Sequence, residues 1–259
     1  MVNKTLIFTA TYNESENIVP LCTYILGLDP GYDMLVVDDN SPDGTGRLLD
    51  ELVAKNPRLK VIHRSGKMGL GSAHEYAMKY AVQLDYEALV TMDADFSHNP
   101  EDIPRLLQAI ENVDFVTGSR YMDGGTCNYS GYRRVVSICA NWWARRLLGI
   151  PLHEMTTSFR VFRVDFLRCV DYGAIKSNGY SFFMEIVFRL SRMGARMSEV
   201  PINFSDRRAG ASKIPPFEIF NGLRHLLYLT CLRLFWRKEP VDIKALVVPL
   251  MIALATCAP

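Results

Sequence analysis

The 259-residue sequence lacks most of the features that would place it quickly. Its formal net charge is only +1, so no global field draws it to nucleic acid. Its six cysteines (Cys22, Cys127, Cys139, Cys169, Cys231 and Cys257) form no C-x-x-C pair. The N-terminus has no leader pattern, and the thiols read as reduced cytosolic side chains. The apolar stretch Ala245 to Pro259 falls short of the ~20 residues a spanning helix needs. No G-x-x-x-x-G-K-[ST] occurs, which excludes a P-loop. The nearest approaches to a dinucleotide fingerprint, Gly44-Thr45-Gly46 and Gly69-Leu70-Gly71, have Leu49 and His74 where the third glycine should stand.

What is present is a polarised chain. Residues 1–119 hold 9 Lys and Arg against 18 Asp and Glu, whereas residues 120–213 hold 15 against 7. An acidic half beside a basic half suggests two anionic ligands, one met through a metal and one met by arginine. In the acidic half, strand-like runs (Leu6–Ala10, Met34–Val37, Leu59–His63, Ala88–Met92, Phe115–Thr117) alternate with helical stretches near Asn17–Leu28, Gly46–Ala54, Gly71–Val82 and Pro100–Ile110. That rhythm predicts an α/β, Rossmann-like, mainly parallel sheet with helices on both faces. Beyond Tyr121 the rhythm stops. Asp123–Gly131 reads as a glycine-rich mobile lid, and Arg133–Leu148 as a helix rich in Trp and Arg. Phe159–Phe162 and Arg196–Phe204 read as strands flanking a helix near Phe182–Met193, and Pro216–Trp236 as an apolar helix.

Three strand ends are acidic. Thr11-Tyr12-Asn13-Glu14 closes the first, Asp38-Asp39-Asn40-Ser41 the second, and Asp93-Ala94-Asp95 the fourth. In open α/β sheets ligands bind outside the carboxyl ends of the strands. A carboxylate there accepts from ring N–H groups of a nucleobase. Two carboxylates one residue apart suit Mg²⁺ or Mn²⁺, with phosphates completing the shell. The pattern predicts a site for a nucleotide diphosphate.

The ordered motifs T-Y-N-E, V-V-D-D-N-S-P-D-G-T, G-L-G-S-A, D-A-D-F-S-H-N-P, G-S-R-Y, T-S-F-R and E-V-P-I-x-F-x-D-R-x-x-G-x-S-K span about Thr5 to Lys213. In that order the chain resembles the family 2 glycosyltransferases of GT-A fold, and among them the dolichol- or polyprenol-phosphate mannose synthases. The resemblance implies inverting transfer of a hexose, mannose from GDP-mannose above all, to a polyprenyl or dolichyl monophosphate. It implies that Thr11, Tyr12, Glu14, Asp38, Asp39 and Asp93 bind the nucleotide sugar. Asp95 would be the main ligand of Mg²⁺ or Mn²⁺, with Asp93 and Ser97 beside it. Arg120, Arg133, Arg207 and Lys213 would hold the acceptor phosphate, and Glu185 would be the acidic residue under the sugar. Asp93, Asp95, Arg120 and Glu185 are thus the catalytic candidates. His98 is a candidate for touching the diphosphate and His74 a plain helix residue. The family's usual Asp before T-S-F-R is absent; His153 or Glu154 stands in that region.

Two units are expected, a catalytic domain over residues 1–213 and a membrane-associating amphipathic segment over 214–259. Trp142 and Trp143 among Arg133, Arg134, Arg145 and Arg146 suit a helix lying on an anionic membrane. The expected place is the cytoplasmic face of a plasma or endoplasmic-reticulum membrane, peripheral or anchored through the C-terminus, with a membrane-anchoring partner subunit as a further expectation. Alternatives are a polyprenyl-phosphate glucose or amino-sugar transferase using a UDP-sugar, and a non-catalytic subunit that binds nucleotide sugar. A processive polysaccharide synthase fits poorly: its Q-x-x-R-W needs a late glutamine, and Gln83 and Gln108 are the only two.

Overall fold

The computed structural model describes residues 4–128, 131–177, 179–205 and 217–235. The chain runs β1 (Thr5–Thr11), α1 (Ile18–Leu28), β2 (Tyr32–Asp38), α2 (Thr45–Val53), β3 (Leu59–His63), α3 (Leu70–Gln83), β4 (Ala88–Thr91), α4 (Ile103–Ala109) and β5 (Phe115–Ser119). It continues through β6 (Thr126–Cys127), α5 (Tyr132–Leu148), β7 (Arg160–Arg163), α6 (Val164–Leu167), α7 (Ser181–Arg192), β8 (Met197–Pro201), β9 (Asn203–Phe204) and α8 (Phe217–Phe235). Seven strands form one sheet in the order β3-β2-β1-β4-β7-β5-β8. The pairs β1–β2, β1–β4, β2–β3 and β5–β8 are parallel, while β7 runs antiparallel to both β4 and β5.

Alternation along the strands divides the core between two faces. Leu6 and Phe8 of β1, Leu35 and Val37 of β2, and Phe115 of β5 join one cluster with Ala73, Ala77 and Ala81 of α3 and Phe182, Phe183 and Ile186 of α7. Their neighbours Ile7, Met34, Val36 and Val116 point the other way, onto Ile18, Leu21 and Ile25 of α1 and Ile103 and Leu106 of α4. Each large apolar side chain so buried contributes roughly 1.5–3 kcal/mol. Leu226, Leu229 and Leu232 of α8 enter the first cluster, so this helix packs on the same core as the sheet. No described helix is long and apolar enough to cross a membrane.

The first five strands and the helices between them follow the sequence pattern closely. The second half departs from it in three places. The stretch read as a mobile lid holds β6, paired in parallel with β9: Thr126 with Asn203, and Cys127 with Phe204. A two-residue strand is too short to show a period. The run Arg196–Phe204 breaks into β8 and β9 around Pro201, where the chain leaves the main sheet for the small one; a proline donates no ladder hydrogen bond. Helix α6 is a single turn after β7 that periodicity does not announce.

Candidate active site

Strand β1 lies between β2 and β4, so the chain crosses over in opposite directions on its two sides. A crevice opens at such a switch point, outside the strand ends. All three acidic loops emerge there, and each carries a non-glycine residue in the left-handed region: Asn13 at φ 58°, Asn40 at φ 56° and Phe96 at φ 60°. Asn tolerates that conformation, but for an aromatic residue it costs energy, and such strain gathers at functional sites.

At the ends of β1 and β2 the expected nucleoside residues come together. The Thr11 hydroxyl donates to Asp38 Oδ1 at 3.0 Å, and the Ser41 amide donates to Asp38 Oδ2 at 3.1 Å. The Asp39 amide donates to the Thr11 carbonyl at 3.0 Å. The Asp39 carboxylate is bound by Arg64, which also donates to the Ser72 hydroxyl (2.7 Å) and the Gly69 carbonyl (3.1 Å) at the start of α3. Asn17 donates to Glu14 Oε2 at 2.9 Å. The ammonium of Lys67 sits 4.6 Å from the centre of the Tyr12 ring.

At the end of β4 the two aspartates differ. Asp93 has a half-exposed side chain, and its Oδ1 accepts from the Ser158 hydroxyl at 2.6 Å. Asp95 is buried at 3% exposure and accepts from the Ser97 amide (3.0 Å) and hydroxyl (2.6 Å). His98 is enclosed between the rings of Phe159 and Phe204. Its Nδ1 accepts from the Asp93 amide at 3.2 Å, which assigns the proton to Nε2, 3.1 Å from the Thr157 hydroxyl. Burial lowers its pKa despite the neighbouring aspartates. Both nitrogens are therefore used inside the protein, and His98 props the loop instead of facing a diphosphate. His74 is a core residue of α3, buried against Phe8 and Phe183 and lowered to about 3 by burial and by the charge of Arg160.

The donor set suits a hard divalent cation. Among the described residues no cluster of three or more Asp, Glu, His or Cys forms a complete cage. Mg²⁺ and Mn²⁺ sites for phosphates commonly use one or two carboxylates and take the remaining oxygens from substrate and water. Asp95 and Asp93 supply that pair, with the Ser97 hydroxyl adjacent.

On the other side of β7 the buried Arg120 follows β5. Its Nε donates to Glu154 Oε2 at 2.7 Å and its guanidinium to the Thr156 hydroxyl at 3.2 Å. Burial pushes the Glu154 carboxyl up, but the charge and hydrogen bond of Arg120 and the bonds of Thr156 outweigh it and hold it below its usual range. Glu154, not His153, thus takes the position before T-S-F-R that faces the arginine. His153 turns away to Glu199, 2.8 Å from Nδ1. Asn141, buried on the inner side of α5, donates to Glu154 Oε1 and to the Thr156 hydroxyl, both at 3.2 Å, and accepts from the Met155 amide at 2.7 Å. The arginine of T-S-F-R, Arg160, is buried and donates to the carbonyls of Met155 and Phe183.

Glu185 belongs to a separate cluster. It is fully buried, accepts from Arg189 (2.8 Å), from the amides of Lys176 (3.1 Å) and Ser177 (2.8 Å), and lies 3.0 Å from His225 Nε2. Burial raises its pKa, yet the nearby His225 ring, the bond from Ser177 and the charge of Arg189 bring it down to about 2. Such a carboxylate is a poor proton acceptor, and its hydrogen bonds and ion pairs join α7 to α8 and to the 174–177 turn. For Arg133 the backbone lies in the first turn of α5, while its side chain, like Arg207 and Lys213, lies outside the described residues.

Sequence reasoning assigned no role of their own to Arg64, Asn141, Thr157 and Ser158, each of which orients a candidate residue, although Thr157 and Ser158 open the T-S-F-R motif. Asn141 left a signal, a small amide at an inward position of a helix otherwise lined by Ala144 and Leu148. The others sit in loops that carry no period.

The family model described as glycosyl transferase family 2 matches residues 6–171. The chain is 41% identical over 212 residues to an undecaprenyl-phosphate mannosyltransferase of Micrococcus luteus, covering 82% of this chain and 87% of that one. It is 42% identical over 214 residues to a polyprenol monophosphomannose synthase of Mycolicibacterium smegmatis, covering 82% and 81%. Among solved structures it is similar to glucosyl-3-phosphoglycerate synthase of Mycobacterium tuberculosis in complex with Mn²⁺, UDP and phosphoglyceric acid. That likeness has a TM-score of 0.63 at 18% identity and covers 93% of this chain and 80% of the other. It establishes a shared GT-A fold.

Proposed function

The chain belongs to glycosyl transferase family 2, and from that premise we propose that it transfers mannose from GDP-mannose, with inversion, to a polyprenyl monophosphate. One observation carries the reading: the segment 154–158 serves both halves of the site. Ser158 holds Asp93 on the acidic side, while Glu154 and Thr156 hold Arg120 on the basic side. One donor-side carboxylate, Asp93, and the arginine expected at the acceptor are thereby tethered to the same short piece of backbone. The names of the two mannosyltransferase relatives support the sugar and the lipid class.

The acceptor phosphate needs no protein base, because its second pKa near ~6 leaves it largely a dianion at neutral pH. One of its oxygens attacks the anomeric carbon as the bond from that carbon to the donor diphosphate breaks, and GDP departs. Inversion follows from this single displacement. Arg120, with Arg133, Arg207 and Lys213, would orient the acceptor phosphate; guanidinium matches its oxygens and stays charged. Thr11, Tyr12, Glu14, Asp38 and Asp39 would seat the nucleoside. Mg²⁺ or Mn²⁺ on Asp95 and Asp93 would neutralise the departing diphosphate. Glu185, held low by its partners, would support the site through α7. Residues 214–259 would add membrane contact to the 1–213 catalytic unit, at the cytoplasmic face and with a partner subunit where one exists.

The test is incubation with a panel of radiolabelled nucleotide sugars and polyprenyl phosphate. Label should reach the organic phase from GDP-mannose and require divalent metal. Label from UDP-sugars alone would overturn the donor, and no label from any sugar would overturn the transferase reading.

A further inference from the structure

Glu199 opens the E-V-P-I motif and touches no proposed substrate. It lies in β8 opposite Thr117, on the strand that leads to Arg120. Its side chain is only 7% exposed, and a carboxylate taken so far from water needs partners. Among the described residues those partners all lie in one turn. Oε1 accepts from the backbone amides of both His153 (2.8 Å) and Glu154 (2.9 Å), and Oε2 lies 2.8 Å from His153 Nδ1.

An ion pair is the plain explanation for a buried glutamate, and His153 would suffice for one. Oε1 does something else. Two consecutive amides converge on it, which fixes the direction of the backbone at residues 153–154. That backbone carries Glu154, whose side chain is fully buried, with Oε2 on Arg120 Nε (2.7 Å) and Oε1 on the Thr156 hydroxyl (2.6 Å). The β8 strand therefore holds Arg120 from two directions. One is the backbone, where the Ile202 amide just past β8 donates to the Ser119 carbonyl at 3.1 Å. The other runs from Glu199 through Glu154. The donor side of the same segment has its own anchors: the Ser158 carbonyl accepts from the Thr91 hydroxyl, and the Thr157 hydroxyl lies 3.1 Å from His98 Nε2. Losing the Glu199 anchor frees residues 153–154 and leaves Ser158 on Asp93.

We propose that Glu199 is a positioning residue for the acceptor. By collecting the two amides it sets Glu154, and through Glu154 it sets the guanidinium of Arg120 where the acceptor phosphate arrives. Its contribution is reach, with an oxygen at the right distance, and charge is secondary. The catalytic purpose rests on the phosphate-acceptor reading; the placement of Arg120 by Glu199 does not.

Two substitutions separate reach from charge. Glu199→Asp keeps the charge but withdraws the carboxylate by one methylene, out of range of the paired amides. Glu199→Gln loses the charge but keeps an accepting oxygen at the same reach. With the full chain, Mn²⁺, GDP-mannose and polyprenyl phosphate, Glu199→Asp should lower kcat/KM for the acceptor by about 10- to 100-fold, the cost of a misplaced orienting group. Glu199→Gln should stay close to wild type. GDP affinity, read by calorimetry with Mn²⁺, should be unchanged in both. A group that only stabilises the fold would shift the melting temperature without separating acceptor efficiency from GDP affinity. The second readout needs no substrate. With isotopically labelled arginine, the NMR signal of the Arg120 Nε–H, assigned by its loss in Arg120→Lys, should exchange with solvent about tenfold faster in Glu199→Asp than in wild type or Glu199→Gln. A wild type inactive toward polyprenyl phosphate would remove the acceptor reading and leave this exchange test standing. Glu199→Gln retains the bonds to the turn, so it tests the proposal even where Glu199→Asp fails to fold. The proposal is overturned if the Arg120 signal exchanges alike in all three chains, if Glu199→Gln is as damaging as Glu199→Asp, or if GDP affinity falls together with acceptor efficiency.

Discussion

Asp95 and Asn141 show how differently two buried polar side chains serve one site. Asp95 Oδ1 already accepts from both the amide and the hydroxyl of Ser97, and an asparagine oxygen can accept the same bonds. Asp95→Asn should therefore keep the fold while abolishing metal-dependent turnover. Turnover above half of wild type at saturating Mn²⁺, with an unchanged melting temperature, would show that Asp95 is not the ligand. Asn141 contacts no proposed substrate, yet three of its bonds fix the 154–156 segment on which Arg120 rests. Asn141→Ala should cost about 1–3 kcal/mol of stability, since buried groups lose their partners. It should also raise the acceptor KM while leaving donor affinity, read by calorimetry, unchanged. A purely structural role would move the melting temperature and leave the acceptor KM alone.

At the scale of elements, the Glu185 cluster ties α7 to the 174–177 turn just before it and to α8, far along the chain. Its carboxyl is held near 2 in the folded protein against 4.5 when free. A group depressed on folding stabilises the fold above its unfolded pKa, and that contribution is lost as pH falls through the interval toward the folded value. Denaturant midpoints should thus drop steeply below about pH 4.5. Glu185→Gln should flatten that slope and lower stability by about 3–5 kcal/mol at neutral pH, because Arg189 is left buried without its partner. An unchanged slope in the variant would locate the acid sensitivity elsewhere. The loop before β6 gives a second prediction. A Cβ on Gly125 would meet the Ser119 carbonyl oxygen at 2.5 Å and the Arg120 carbonyl carbon at 2.9 Å. Gly125→Ala should shift the Arg120 backbone and lower turnover at saturating donor more than it lowers the melting temperature.

For the whole molecule, the charge division of the sequence predicts a division of binding roles. Arg207→Ala should weaken the acceptor step by about 1.5–3 kcal/mol, the worth of a lost charge-assisted contact, with donor affinity nearly constant. A collapse of donor affinity at constant acceptor KM would overturn the division into donor and acceptor halves. The sheet through β5 and its acidic loops were legible because strands of four to seven residues, three of them with acidic ends, announce both their period and their terminus. Glu154 as the partner of Arg120, the supports Arg64 and Ser158, and the burial of Glu185 were not. Each depends on contacts between segments many residues apart, and no local pattern encodes such a contact. The direction of β7 was equally silent, since alternation reads the same both ways.

That antiparallel strand has a consequence for the order in which the molecule is made. β4 and β5 are not neighbours; β7 fills the place between them, pairing Phe162 with both Leu89 and Phe115. A chain leaving the ribosome completes β1 to β4, with the acidic loops, some seventy residues before β7 exists. Until β7 arrives, β4 has a bare edge, β5 has no seat beside it, and Arg120 has no Glu154. Non-local pairing of this kind is slow and exposes open edges while it waits. The part that carries the acidic loops can thus be assembled first, and β5 with Arg120 is seated only when β7 bridges it to β4, before β8 completes the sheet at its far edge.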